Sequence, residues 1–193
     1  MNAQREIEWF DKMADGLTQG QASRRMMLVY FAKEPCANCE ALNRDSLSDE
    51  TVQRFIADHL VPTKILLNDR EERHHFRDYR VVWTPTLVLM DWRGRDHYRS
   101  VGYLPRDEFW GMLHVGVARS LMPWSRYDEA TALLNTVVAQ PANRFAPEAL
   151  YWRGIAQFLG TRRHTLLDEA WATLKATYPD SVWAARVPPP TAT

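Results

Sequence analysis

The stretch Met26 to Leu42, MMLVYFAKEPCANCEAL, decides how the chain is read. Met26 to Phe31 is a continuous apolar run bounded by polar residues. It is too short for a free-standing helix and suits a strand buried on both faces. Pro35 and Cys36 then open a helix that continues through Cys39, Ala41 and Leu42, and proline is tolerated at such a first turn because its missing N–H has no intrahelical partner there. Cys36 and Cys39 are the only cysteines of the 193 residues. They stand where a strand ends and a helix begins, three residues apart. The first turn of a helix offers unpaired N–H groups that favour a thiolate at Cys36. Cys39 lies on the same helical side and can attack a mixed disulfide formed at Cys36. The expected roles are Cys36 as nucleophile and Cys39 as resolving thiol, with Glu34 and Glu40 opposing the thiolate and Lys33 favouring it.

Other chemistries for the pair fit less well. A structural zinc site takes four ligands, there is no second cysteine pair, and His59, His74, His75 and His97 have no ligand-like spacing, so no metal is expected. A covalent haem wants histidine after the second cysteine, and residue 40 is Glu. No phosphate-cradling glycine loop and no Ser–His–acid signature occur, so no cofactor is expected. Basic and acidic residues balance at 24 each, which argues against a general nucleic-acid or anionic-membrane binder. No run approaches a membrane span, and the first residues, MNAQREIEWFDKMADG, lack the apolar core of a secretion signal. The expected location is therefore the cytoplasm, where a close cysteine pair is more often redox-active than structural.

Working outward, Ile7, Phe10, Ala14 and Leu17 fall at helical spacing and predict an amphipathic helix over Gln4 to Leu17, broken by Gly16, Gly20 and Ser23. Ser46 or Ser48 is a candidate cap for a helix over Glu50 to His59, and Val61 to Leu67 reads as a second strand. Asn68 or Asp69 is a candidate cap for a charged helix over Arg70 to Tyr79. Thr86 to Met90 is a strand with Pro85 at its start. Asp91 to Arg95 is a hairpin turn with Gly94 available for positive φ, His97 to Val101 the returning strand, and Pro105 to about Leu121 a helix. This order predicts one mixed sheet covered by helices. Past Met122-Pro123 no strand pattern remains. Asp128 to Leu134 recurs loosely at Asp168 to Leu174, with Pro147 to Leu159 a helix between them, which predicts a short helical-repeat segment. The tail after Val187 is proline-rich and reads as disordered.

The layout resembles the thioredoxin-like superfamily over about Met26 to Met122. The likeness lies in three places: the apolar strand running into Cys-x-x-Cys, the segment Trp83-Thr84-Pro85-Thr86-Leu87-Val88, and the hairpin stretch Asp91 to Leu104. It implies an α/β three-layer fold and a thiol–disulfide oxidoreductase acting on protein substrates. It further implies that Thr84-Pro85 is a cis peptide facing the thiols, where Thr84 presents backbone groups to an extended substrate. Trp83 reads first as a packing residue; exposed near the thiols, it would contact substrate. Four residues depart from thioredoxin itself. Pro35 stands where tryptophan precedes the first cysteine, Ala37-Asn38 where Gly-Pro separates the two, and Tyr30 where a buried acid assists proton transfer. The segment Tyr127 to Ala185 resembles tetratricopeptide-type helices, about one and a half repeats. The expected organisation is thus 1–122 as a thioredoxin-like domain, 123–187 as a helical segment and 188–193 as a tail. The rival expectation is a non-enzymatic interaction protein whose helical extension docks a partner.

Overall fold

The computed structural model describes residues 6–189. The chain divides into two compact units, 1–110 and 111–193.

The first unit runs α1 (Met13–Ser23), β1 (Met26–Ala32), α2 (Ala37–Leu42), a π-helical turn (Asn43–Leu47), α3 (Glu50–His59), β2 (Leu60–Leu66), α4 (His74–Asp78), β3 (Thr86–Met90), β4 (Asp96–Val101) and the start of α5 (Arg106–Leu121). Four strands form one sheet in the order β2-β1-β3-β4. β1 pairs parallel with β2 and antiparallel with β3, and β3 pairs antiparallel with β4. All seven residues of β1 are buried. An unbroken apolar run becomes the central strand because both of its faces must be apolar. Met27, Val29 and Phe31 of β1 pack with Val61, Ile65, Val88 and Met90 against Met13 of α1 and Phe76 near α4's middle. The alternate residues Leu28, Tyr30, Leu87 and Leu89 are buried on the other face, as strand alternation requires. The mixed α/β fold expected from the element order is the fold observed.

Local detail differs from the sequence reading in several places. Among the described residues the first helix is Met13–Ser23, and residues 6–12, expected within a helix, are not helical; Gln4 and Arg5 lie outside the described residues. Phe10 instead makes a parallel bridge beside Thr63 of β2, its N–H donating to the Pro62 carbonyl and its carbonyl accepting from Lys64. Gly16 and Gly20, read as breakers, lie inside α1 and face the sheet. A Cβ on Gly16 would fall 2.1 Å from Thr63 Oγ1, so this glycine is required by close approach of helix to strand rather than by a turn. The cap of α3 is Asp49, whose carboxylate accepts from the N–H groups of Thr51 and Val52 at 2.9 and 3.1 Å. Ser46 and Ser48 donate elsewhere, to the carbonyls of Leu104 and Arg44. The charged segment after β2 is mostly turn, and only His74–Asp78 is α-helical. In the hairpin, Gly94 has φ +77°. The buried Asp91 carboxylate accepts from the N–H groups of Arg93 and Arg95 and lies 3.0 Å from His97 Nε2. Burial pushes this carboxyl up, but the bond to His97 and the two backbone donors outweigh it and hold it below the usual carboxylate range.

The second unit holds the rest of α5, then α6 (Tyr127–Val138), α7 (Ala146–Thr161) and α8 (His164–Thr177). Leu150, Ala170, Leu174 and Ala184 form its buried cluster, flanked by Tyr151 and Trp183. Gly154 lets α7 and α8 approach, since a Cβ there would sit 2.9 Å from that of Ala170. Tyr151 stacks on Trp171 with centroids 5.5 Å apart. The expected tail lies largely outside the described residues.

Candidate active site

The site is built where β1 ends. Ala32 closes the strand, Lys33 to Pro35 cross to the next element, and Cys36 becomes the N-cap of α2 in extended geometry. The crossing is held from a distance. Asn68, just past β2, accepts from the Glu34 N–H and donates to the Glu34 carbonyl, both at 2.8 Å. A side-chain amide that satisfies both backbone groups of one residue fixes that residue's position and orientation. The sequence reading gave Asn68 as a possible helix cap. Neither Asn68 nor Asp69 caps α4, whose N-cap is Arg73 with no side-chain bond; Asp69 instead closes the preceding turn, its carboxylate accepting from the N–H groups of Glu71 and Glu72 at 2.8 and 3.3 Å. Nothing in the local sequence links positions 34 and 68; the parallel pairing of β1 with β2 brings them together.

Cys36 and Cys39 are joined as a disulfide with Cα atoms 5.2 Å apart. The Cys39 N–H donates to Cys36 Sγ at 3.1 Å. A disulfide sulfur carries no proton, so the Thr84 hydroxyl, 3.5 Å from the same sulfur, is the donor of that pair. The Thr84 carbonyl lies 3.9 Å away. Thr84 and Pro85 are buried at the start of β3, and the Glu34–Pro35 and Thr84–Pro85 peptide bonds are cis. Both donors aimed at Cys36 Sγ favour negative charge on it once the disulfide opens.

Two clefts border the disulfide. The first, about 480 Å³, is lined by Cys36, Ala37 and Asn38 on one side and by Leu67, Phe76, Val81, Val82, Trp83 and Thr84 on the other. Trp83 is 60% and Val82 91% exposed. A packing role was the simpler expectation for Trp83; its ring instead stands largely in solvent at the cleft rim. Among the described residues the exposed large apolar side chains are Leu67, Val82, Trp83, Val101 and Val182, so three of the five line this one cleft. Clustered exposure of this kind marks a binding surface, whereas scattered exposure is ordinary.

The second cleft is lined by Tyr30, Lys33, Glu34, Cys36, Cys39, Glu40 and Lys64. Tyr30 donates its hydroxyl to the Cys39 carbonyl at 3.4 Å. Lys64, its register partner on β2, holds its ammonium 5.6 Å from the Tyr30 ring centre. Burial pushes the Tyr30 phenol up, and the Glu34 charge adds to this. The group at the position of thioredoxin's buried acid is therefore a protonated donor throughout the neutral range, not a base. His97 pairs with Asp91 in the hairpin, and His74 and His75 lie on α4.

The thioredoxin-like domain family matches residues 14–115, just over half of the 193 residues. The structure is similar to that of a thioredoxin from Thermus thermophilus, at 30% identity and TM-score 0.51, over 56% of this chain and 85% of that one. It is also similar to a disulphide-isomerase candidate from Bacteroides thetaiotaomicron, at 23% identity and TM-score 0.50, over 57% and 91%. No curated protein gives a sequence match. With its parallel β1–β2 pair, its antiparallel β3–β4 hairpin and a Cys-x-x-Cys at the mouth of α2, the chain belongs to the thioredoxin-like domain family.

Proposed function

We propose that the chain is a thiol–disulfide oxidoreductase that exchanges disulfides with protein substrates through Cys36 and Cys39. The observation that carries this reading is the surround of Cys36 Sγ. Two hydrogen-bond donors converge on the sulfur, and it opens onto an apolar cleft. In the reducing direction the Cys36 thiolate attacks one sulfur of a substrate disulfide, and the other leaves as a thiolate that takes up a proton. Cys39 then loses its proton and attacks Cys36 Sγ. The Cys36–substrate bond breaks, the second substrate thiol is released, and the Cys36–Cys39 disulfide remains, so the substrate gains the two electrons the dithiol loses. Run backwards, the same steps oxidise a substrate dithiol.

Substrate binding in this reading falls to Trp83, Thr84 and Pro85. An extended segment would lie along Thr84, and Val82 and Trp83 would receive an apolar side chain next to the substrate cysteine. Tyr30 accepts no proton, so the proton of Cys39 passes to solvent through the second cleft. Among the described residues no helix is long and apolar enough to cross a membrane, and we propose a cytoplasmic location. The test is equilibration of the full chain against glutathione redox buffers, with the Cys36–Cys39 disulfide quantified by mass. A single two-electron transition is expected, and its midpoint assigns the direction of exchange. Reductants of this fold lie near about −270 mV and oxidants near about −120 mV. Absence of an intramolecular disulfide at every accessible potential would overturn the reading.

A further inference from the structure

The turn of helix beside the first cleft carries a group of side chains that dithiol exchange does not use. His74, His75 and Asp78 each offer one ligand atom, and these atoms lie within 4.8 Å of one another. Both imidazoles are oriented by acceptors on one ring nitrogen. His74 Nδ1 stands 2.7 Å from the Glu71 carbonyl. A carbonyl only accepts, so Nδ1 carries the proton and Nε2 presents its lone pair. His75 Nε2 lies 3.4 Å from the Glu72 carboxylate. That carboxylate is itself buried and fixed by the Met13 N–H at 3.0 Å, which leaves His75 Nδ1 as the open nitrogen. Asp78 is divided in the same way. Arg77 donates to its Oδ1 at 3.2 and 3.3 Å, while Oδ2 faces His74 Nε2 at 4.0 Å. Imidazoles that donate one N–H to a carbonyl or carboxylate, with the other nitrogen free, have the second-layer arrangement of metal-bound histidines.

We propose that His74, His75 and Asp78 form a binding site for a divalent late-transition-metal ion of the Zn²⁺ class, with water completing the coordination. Two imidazoles and one carboxylate suit Zn²⁺, Ni²⁺ or Cu²⁺ better than Mg²⁺ or Ca²⁺, which require more oxygen ligands. Bonds of about 2.0–2.1 Å in tetrahedral geometry need ligand atoms about 3.3 Å apart. The 4.0 Å between His74 Nε2 and Asp78 Oδ2 closes to that by small side-chain rotations, and both side chains are half exposed and free to make them. The spacing rule applied to the histidines alone misses the site, because the third ligand is a carboxylate one helical turn after His74. The ion would sit on the helix whose Phe76 lines the dithiol cleft.

The test is calorimetric titration of the tag-free full chain with Zn²⁺, with the Cys36–Cys39 disulfide intact so that no thiol competes. The wild type is expected to bind one equivalent. His74→Ala and Asp78→Asn, changes at half-exposed positions that leave the fold in place, are each expected to weaken binding at least tenfold. Absence of saturable binding, or either variant binding as tightly as the wild type, would overturn the proposal.

Discussion

The cleft in front of Cys36 is walled by Leu67, Phe76, Val81, Val82 and Trp83, whereas the one beside Cys39 is walled by Tyr30, Glu34, Glu40 and Lys64. Lys33, Pro35 and Cys36 border both clefts, but the apolar side chains gather on the first and Glu34, Glu40, Lys64 and the Tyr30 phenol on the second. The two sulfurs differ accordingly. Cys36 Sγ meets the Thr84 hydroxyl and the Cys39 N–H; Cys39 is nearly fully buried and has a phenol on its carbonyl. For the function proposed above, the difference suits a division of labour, with substrate capture on the side of Trp83 and proton release on the side of Tyr30.

Four variants break or sharpen that comparison. The largest effect is expected for Cys36→Ser, which removes the attacking sulfur. Dithiol-driven reduction of insulin should fall by roughly 10³-fold or more, since loss of a nucleophile removes the covalent route. Next, Thr84→Val deletes a donor to Cys36 Sγ. A hydrogen bond to a charged group is worth about 1.5–3 kcal/mol, or about one to two pH units of thiolate stabilisation. The pH profile of Cys36 alkylation should move upward by that amount, and an unmoved profile would show the hydroxyl to be a bystander. Trp83→Ala should raise KM for a protein substrate roughly tenfold, as expected for loss of about 1–2 kcal/mol of apolar contact. Exchange with glutathione disulfide and the melting temperature should stay unchanged, because the ring is mostly exposed.

The smallest effect belongs to Tyr30→Phe. Burial holds the Tyr30 phenol in its protonated form, so position 30 takes up no proton between pH 5 and pH 9 and adds no inflection to the profile. The resolving step should accelerate as pH rises, because the thiolate is the attacking species. Tyr30→Phe should leave that profile in place and the rate within about threefold, at a cost in stability of about 1 kcal/mol for the lost hydrogen bond. Stopped-flow measurement of the resolving step checks both. An acidic limb that disappears in Tyr30→Phe would assign base character to the phenol.

The sheet was legible because its signals are local. Met26 to Ala32 is apolar at every position, which only a strand covered on both faces accommodates, and the Gly94 hairpin declares itself by composition. The cysteine pair was legible for the same reason. What stayed hidden depends on contacts between distant segments. Gly16 resembles a helix breaker until Thr63 is seen against it. Asn68 resembles a cap until the sheet brings Glu34 alongside. Trp83 resembles a core residue because its exposure depends on the turn before β3. The grouping of His74, His75 and Asp78 mixes imidazoles with a carboxylate one helical turn on, so the spacing of cysteines and histidines does not disclose it.

The central claim, that Cys36 captures substrate and Cys39 releases it, is tested most directly by trapping. Reduced Cys39→Ser and Cys36→Ser proteins are incubated separately with insulin, and the adducts are mapped by mass spectrometry under non-reducing conditions. Cys39→Ser should accumulate a stable mixed disulfide at Cys36, with at least tenfold less adduct in Cys36→Ser. Equal trapping by the two variants, or none by Cys39→Ser, would contradict the account.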